Sequence, residues 1–304
     1  MAPRRSSAGG AIGPGAALEG AAACLIYPSV SVWCFVAARR RTSAPVATEV
    51  PLNQAHLLHL ALLLVASMWA GVQNQLAGGG SFITLPALMV TGMDARAANI
   101  TSTVALFPGQ ITGGWMARKS ASGTEGLSFR LLTIISLAGG AVGAVLLLAT
   151  SSSIFEKMVP WLVLFATGAF AWGSFGPKGK AREKALGPLA AGAVQFAIAV
   201  YGGYFGGGIG FLMLAALAMS GLAVRAASAT KNILAGVVNF TAVLIFLFSG
   251  QVHWLAAVIA CAGALIGSYF GARLLNRVNE KALRIAVIVI GLLLTVGLFV
   301  RSVA

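Results

Sequence analysis

Residues 76 to 103 read LAGGGSFITLPALMVTGMDARAANITST. Three glycines, Gly78, Gly79 and Gly80, interrupt an apolar run. A short apolar segment follows over 81–93, containing Pro86. At 1.5 Å per residue it reaches only about 20 Å, short of the roughly 30 Å hydrocarbon core of a bilayer. After a polar turn comes a longer segment that opens with Asn99, Thr101, Ser102 and Thr103. A related stretch, YFGGGIGFLMLAALAMSGLAVRAASATKN, occupies 204–232. Glycines and hydroxyls at this density inside apolar sequence mark helices that break and restart within a membrane.

Composition supports the membrane reading. Of 304 residues, 58% are hydrophobic and 9% charged, with a mean hydropathy of +0.89. An average soluble domain carries about 25% charged residues. Apolar runs long enough to cross a bilayer recur along the chain. The formal charge of +14 comes from 21 Lys+Arg against 7 Asp+Glu. Most of the basic residues stand between apolar runs, where cytoplasmic loops and headgroups account for them, so nucleic acid is not expected as a partner. Cys24, Cys34 and Cys261 form no C-x-x-C pair and no Cys/His cluster, so neither a metal nor a disulfide framework is expected.

Taken in order, residues 1–50 form an atypical extension. Its apolar segment at 21–38 is broken by Pro28 and closed by Arg39, Arg40 and Arg41. A signal sequence, an extra span and a mis-assigned start all fit it. Spans are predicted at 54–76, 81–93 (short), 96–117, 129–150 and 158–175. Residues 177–188 form a basic, proline-bounded linker. A second set follows at 189–205, 209–222 (short), 226–249, 254–275 and 282–301. His56 and His59, one turn apart in the first span, are accounted for by an interfacial position.

The two sets repeat in residues as well as in hydropathy. Gly78-Gly79-Gly80 matches Gly206-Gly207-Gly208, and Arg96-Ala97-Ala98 with Thr101 matches Arg225-Ala226-Ala227 with Thr230. Gln110 falls opposite Asn239, and Ala138-Gly139-x-x-x-Gly143 opposite Ala262-Gly263-x-x-x-Gly267. These matches run in order at nearly constant offset. Five segments per half is an odd number, so the second half is expected to be inverted relative to the first. The resulting expectation is an all-α integral membrane fold, with repeat 1 over 51–176 and repeat 2 over 189–304. Basic residues concentrate after the third, fifth, seventh and ninth segments, which places those loops in the cytoplasm.

The seven acidic residues fall in loops, at span ends or in the extension, and none at a span centre. Proton pumps and cation pathways rely on intramembrane carboxylates, so a cation substrate is disfavoured. Lys231, with Thr230 and Asn232 beside it and Asn239 two turns on, is the candidate intramembrane cation. A functional ammonium and a snorkelling one are both open. Helices restarting after Gly80 and Gly208 leave their first N–H groups to hold an oxyanion. The candidate substrate-binding set is therefore Gly78, Gly79, Gly80, Asn99, Thr101, Ser102, Thr103, Gln110, Gly206, Gly207, Gly208, Thr230, Lys231, Asn232 and Asn239. No G-x-S-x-G, H-E-x-x-H or Walker A loop occurs. The chain is not expected to be an enzyme, and no cofactor is expected.

The two glycine-broken stretches and the two-half arrangement resemble the TauE/SafE family of putative sulfite exporters, over about 55–302. The resemblance implies a multi-pass transporter of the bacterial inner membrane. It would move sulfite, organosulfonates or related sulfur-containing oxyanions, outward and by alternating access. Its partners would be the bilayer and the anion, with a homo-oligomer also compatible. A passive anion channel and a membrane assembly partner are the rival readings.

Overall fold

The structure, a computed structural model, describes residues 54–76, 78–124, 126–175, 186–274 and 280–303. The N-terminal extension, residues 177–185 of the basic linker, and Glu125 lie outside them. Among the described residues ten α-helices follow one another. The first five are α1 (Gln54–Leu76), α2 (Ser81–Val90), α3 (Ala95–Ala117), α4 (Phe129–Ala149) and α5 (Ser152–Phe175). The second five are α6 (Pro188–Tyr204), α7 (Ile209–Met219), α8 (Val224–Phe248), α9 (Trp254–Leu274) and α10 (Glu280–Val303). The predicted spans and these helices agree to within a few residues except at α5, which starts six residues earlier than expected. There Ser151 accepts from the Ile154 N–H at 3.3 Å, so the helix is capped ahead of the polar pair Glu156-Lys157.

The two short helices end in the same way. At α2 the Thr91 hydroxyl donates to the Leu88 carbonyl at 2.6 Å, and Gly92 then turns at φ 92°. At α7 the Ser220 hydroxyl donates to the Ala216 carbonyl at 2.8 Å, and Gly221 turns at φ 89°. A left-handed glycine just past the last turn is the standard helix stop. At 10 and 11 residues these helices are about 15–17 Å long, half a bilayer.

Among the described residues five helices are long and apolar enough to cross a membrane: α1, α4, α5, α8 and α9. Only 28–44% of each such window is buried in the protein, which leaves broad apolar faces outward. Leu58, Val65, Trp161, Trp172 and Phe248 are among the exposed side chains. In water this much apolar surface would associate; in lipid it is the expected exterior. With several membrane-length helices, the chain fits a multi-pass inner-membrane protein. The 23-residue α3 is long enough to cross, at about 35 Å, but is not apolar enough to stand among the five. It is the most enclosed helix, with every residue from Ala97 to Phe107 buried. Protein rather than lipid surrounds it, so it tolerates Asn99, Thr101, Ser102 and Thr103.

Packing between the halves is reciprocal. The first helix of the first half, α1, packs most extensively on α9, the fourth of the second half. Its counterpart α6 packs most extensively on α4. The middle helices α3 and α8 pack on each other, as do α5 and α10. The expected glycine faces make the two outer contacts. A side chain at Gly139 would meet the Phe196 carbonyl oxygen at 2.9 Å, and one at Gly143 would run into that of Val200. On the other side, a side chain at Gly263 would meet the Leu64 carbonyl oxygen at 2.6 Å, and one at Gly267 that of Met68. Without Cβ atoms the backbones approach closely, which is how helices gain contact in lipid.

Candidate functional site

Each glycine break is held from the helix before it. In the first half the chain leaves α1 with Gly78 and Gly79 at φ 87° and 76°. The Gln73 amide donates to the Gly79 carbonyl at 3.2 Å, and Asn74 accepts from the Gly80 N–H at 2.8 Å. In the second half Gly206 and Gly208 both take φ 76°, and the Tyr201 hydroxyl donates to the Gly207 carbonyl at 3.0 Å. A side chain would be strained at these backbone angles. Gln73 and Tyr201 thus hold the matching carbonyls of the two breaks. The N-cap residues of α2 and α7, Gly80 and Gly208, have no side chain to cap the helix. Asn74 takes one N–H at the start of α2, and the positive end of α7 is left for another acceptor.

Both breaks open on one cavity of about 60 Å³. One water needs roughly 10–15 Å³ on this measure, so there is space for a few waters or one small ion. From the first half come Asn74, Gln75, Gly78, Gly79, Ser81 and Gln110; from the second, Gly206, Ile209, Gly210, Lys231 and Asn232. Gly109, Gly113 and Ala235 close the wall with small surfaces. Lys231 is half-buried, and its side chain runs along Gly210 near the start of α7. An ideal Cβ at Gly210 would lie 3.8 Å from the ammonium nitrogen. The Lys231 side chain lines the cavity. Among the described residues no hydrogen bond or ion pair is made to this ammonium.

Six of the fifteen expected residues line the cavity: Gly78, Gly79, Gln110, Gly206, Lys231 and Asn232. The others lie around it, in other work. Gly80 donates to Asn74, while Gly207 and Gly208 pack against the Phe82 ring, which an added Cβ would meet at 2.9 and 3.3 Å. The Asn99 amide donates to the Tyr204 carbonyl at 3.2 Å. The Thr103 hydroxyl donates to the Asn99 carbonyl at 2.9 Å. Ser102 and Thr84 share a hydroxyl–hydroxyl bond of 2.5 Å. Thr101 accepts from the His253 N–H at 3.2 Å. Its counterpart Thr230 accepts from the Ser122 N–H at 3.0 Å and donates to the Ser122 carbonyl at 2.9 Å. Each of these matched threonines ties its core helix to the loop that follows the counterpart helix of the other half.

Asn239 and Gln110, at matching positions of the repeat, bond directly to each other. The Asn239 amide donates to Gln110 Oε1 at 2.6 Å, joining α8 to α3 beside the cavity. Changing Asn239 to Leu leaves a buried acceptor without its donor and is expected to cost about 1–3 kcal/mol. Changing Gln110 to Leu as well removes both groups and is expected to recover much of that loss. Thermal unfolding of the single and double variants in detergent checks this.

Asn74 and Gln75 are lining residues that the sequence reading did not select. Their signal is the run Gln73-Asn74-Gln75, three amides in a row at the end of an apolar span. Among the described residues the lining holds one ammonium, several amides and the starts of α2 and α7, and no carboxylate.

Comparison with known proteins agrees with this architecture. Residues 63–298 match the sequence family described as "Sulfite exporter TauE/SafE". A "Probable membrane transporter protein" of Haemophilus influenzae is 30% identical over 241 residues, covering 78% of this chain and 92% of the relative. The "Probable membrane transporter protein YfcA" of Escherichia coli K12 is 28% identical, covering 81% and 91%. A "Probable membrane transporter protein ORF9" of a Sinorhizobium species is 27% identical, covering 79% and 92%. No solved structure matches the chain. With the match spanning nearly all of the helical unit, this chain belongs to the TauE/SafE family of membrane transporters.

Proposed function

We propose that the protein is a secondary transporter of a small sulfur-containing oxyanion, sulfite or a short organosulfonate, working by alternating access. One observation carries this reading: both glycine breaks and the Lys231 ammonium converge on a single small cavity. Backbone N–H groups and amides replace the anion's water, and Lys231 offsets its charge. Such groups hold oxyanions through short, charge-assisted hydrogen bonds. The reciprocal helix pairing and the Gln110–Asn239 bond support two inverted halves related by an axis through α3 and α8. Residues that are equivalent under a two-fold axis touch each other only near that axis. Substrate at the repeat interface, between half-length helices, is the arrangement alternating access requires. The bilayer is the protein's solvent, and the chain works on solute movement and not on bond chemistry.

A thermal-shift screen of the purified protein tests the substrate class. Sulfite, sulfate, thiosulfate and methanesulfonate are compared with ammonium and choline. An anion at a hundred times its Kd is expected to stabilise by about 2.7 kcal/mol. Stabilisation by the cations alone would overturn the reading. Accumulation of the stabilising anion against a gradient in proteoliposomes separates a transporter from a passive channel.

A further inference from the structure

We infer that the carrier is an obligate one-for-one anion exchanger, changing face only while an anion sits beside Lys231. The inference rests on the transport reading above and adds the counter-substrate, a second small anion of equal charge.

The argument begins with what surrounds the ammonium. Among the described residues Lys231 is the only titratable side chain lining the cavity. Packed on α8 are α3, α4, α6, α7 and the 3-10 turn Arg118–Ser120, and none of them contains an Asp or Glu. Their charged residues are Arg96, whose guanidinium donates to the Thr150 carbonyl at 2.6 Å, Arg118, Lys119 and Arg130. No countercharge is therefore built into the cavity by the described residues. In many carriers an intramembrane cation rests on a carboxylate partner when substrate is absent. The lining amides of Asn74, Gln75, Gln110 and Asn232 are neutral and supply no countercharge, and α7 begins beside Lys231 with its positive end. That helix end repels a bare ammonium and attracts an anion.

A face change closes the cavity on both sides for a moment and removes its water. With a monoanion such as hydrogen sulfite bound, the occluded cavity is neutral overall. Empty, it holds an unpaired cation in a low-dielectric interior, which is strongly unfavourable. The loaded form is expected to reorient roughly a hundredfold faster or more than the empty one. The anion delivered to one side must then be replaced there by another before the carrier returns. One-for-one exchange of equal charges moves no net charge, so the membrane potential does no work on it.

The test uses the full chain in proteoliposomes and the entry of ³⁵S-labelled sulfite. The vesicle interior holds sulfite, chloride or gluconate, the last too bulky for the cavity. With internal sulfite or chloride, labelled entry is expected to exceed that with gluconate by on the order of a hundredfold. A potassium diffusion potential is expected to leave the exchange rate unchanged. Lys231→Met removes the uncompensated charge: its residual flux is expected to be slow and indifferent to the internal anion. Lys231→Arg keeps the charge and is expected to keep the dependence on the internal anion. Equal wild-type entry into gluconate and sulfite vesicles overturns the inference while leaving transport intact, as does entry into gluconate vesicles accompanied by proton uptake on internal pyranine. Absence of labelled flux in every arrangement overturns the transport reading together with it.

Discussion

Lys231→Met is expected to abolish the thermal response to sulfite while raising the melting temperature of the ligand-free protein. The two effects have one origin. The Lys231 ammonium lines the cavity without a partner among the described residues, so the empty state contains a poorly solvated charge. Methionine keeps the unbranched stem and fills the space along Gly210 without that charge. Anion affinity depends on the same charge. Removing one partner of a desolvated ion pair costs about 2–5 kcal/mol, which corresponds to a loss of about thirtyfold or more. Melting curves with and without sulfite read both quantities from one sample. An unchanged sulfite response in the variant would take Lys231 out of the binding site, and the cavity's amides and helix starts would have to hold the anion alone.

The second large effect lies in the helix contacts between the halves. Gly143→Val and Gly267→Val are each expected to destabilise the protein by about 3 kcal/mol or more. A Cβ at Gly143 runs into the Val200 carbonyl oxygen, and one at Gly267 into that of Met68. Both obstacles are backbone, so no side-chain rotation relieves them and the helices must move apart. Gly168→Ala is the control. That glycine lies on an exposed face of α5 with nothing within 4 Å of an added Cβ. It is expected to be neutral or to stabilise by up to about 1 kcal/mol through helix propensity. Detergent melting of the three variants gives the comparison. Equal stability of all three would mean that the glycine faces do not carry the contact between the halves.

Much of this architecture is readable in the chain because membrane constraints act locally. Hydrocarbon fixes the length of a span, and glycine followed by a short apolar segment marks a half-length helix. The helices α2 and α7 follow from those rules with boundaries nearly right. The glycine pairs at 139/143 and 263/267 advertise close packing, and both make it. The matched amides Gln110 and Asn239 were legible as equivalents, but their mutual bond was not, because it depends on where two distant helices cross. The site was legible in outline and less so in detail. Hydroxyls serve packing and binding with the same chemistry. Thr101 and Thr230 turn out to hold loop backbone, at His253 and Ser122, partners more than a hundred residues away in sequence. Asn74 and Gln75 went unselected because they precede the glycines and sit at a span end, where polar residues are ordinary. Glu156-Lys157 fell outside the expected span because the pair is charged and precedes the apolar run, whereas Ser151 caps the helix ahead of it.

The glycine faces also bear on how the protein is made. The close contact of α4 is with α6, and that of α1 is with α9, so each half is finished by helices from the other. A chain emerging from the ribosome inserts α1 long before α9 exists. Through most of synthesis the thinnest face of the first helix has only lipid against it, and α4 waits in the same way for α6. Neither half is a self-sufficient folding unit. The nascent protein must hold an unfinished bundle in the bilayer until the late helices arrive, α9 closing on α1 and α10 on α5.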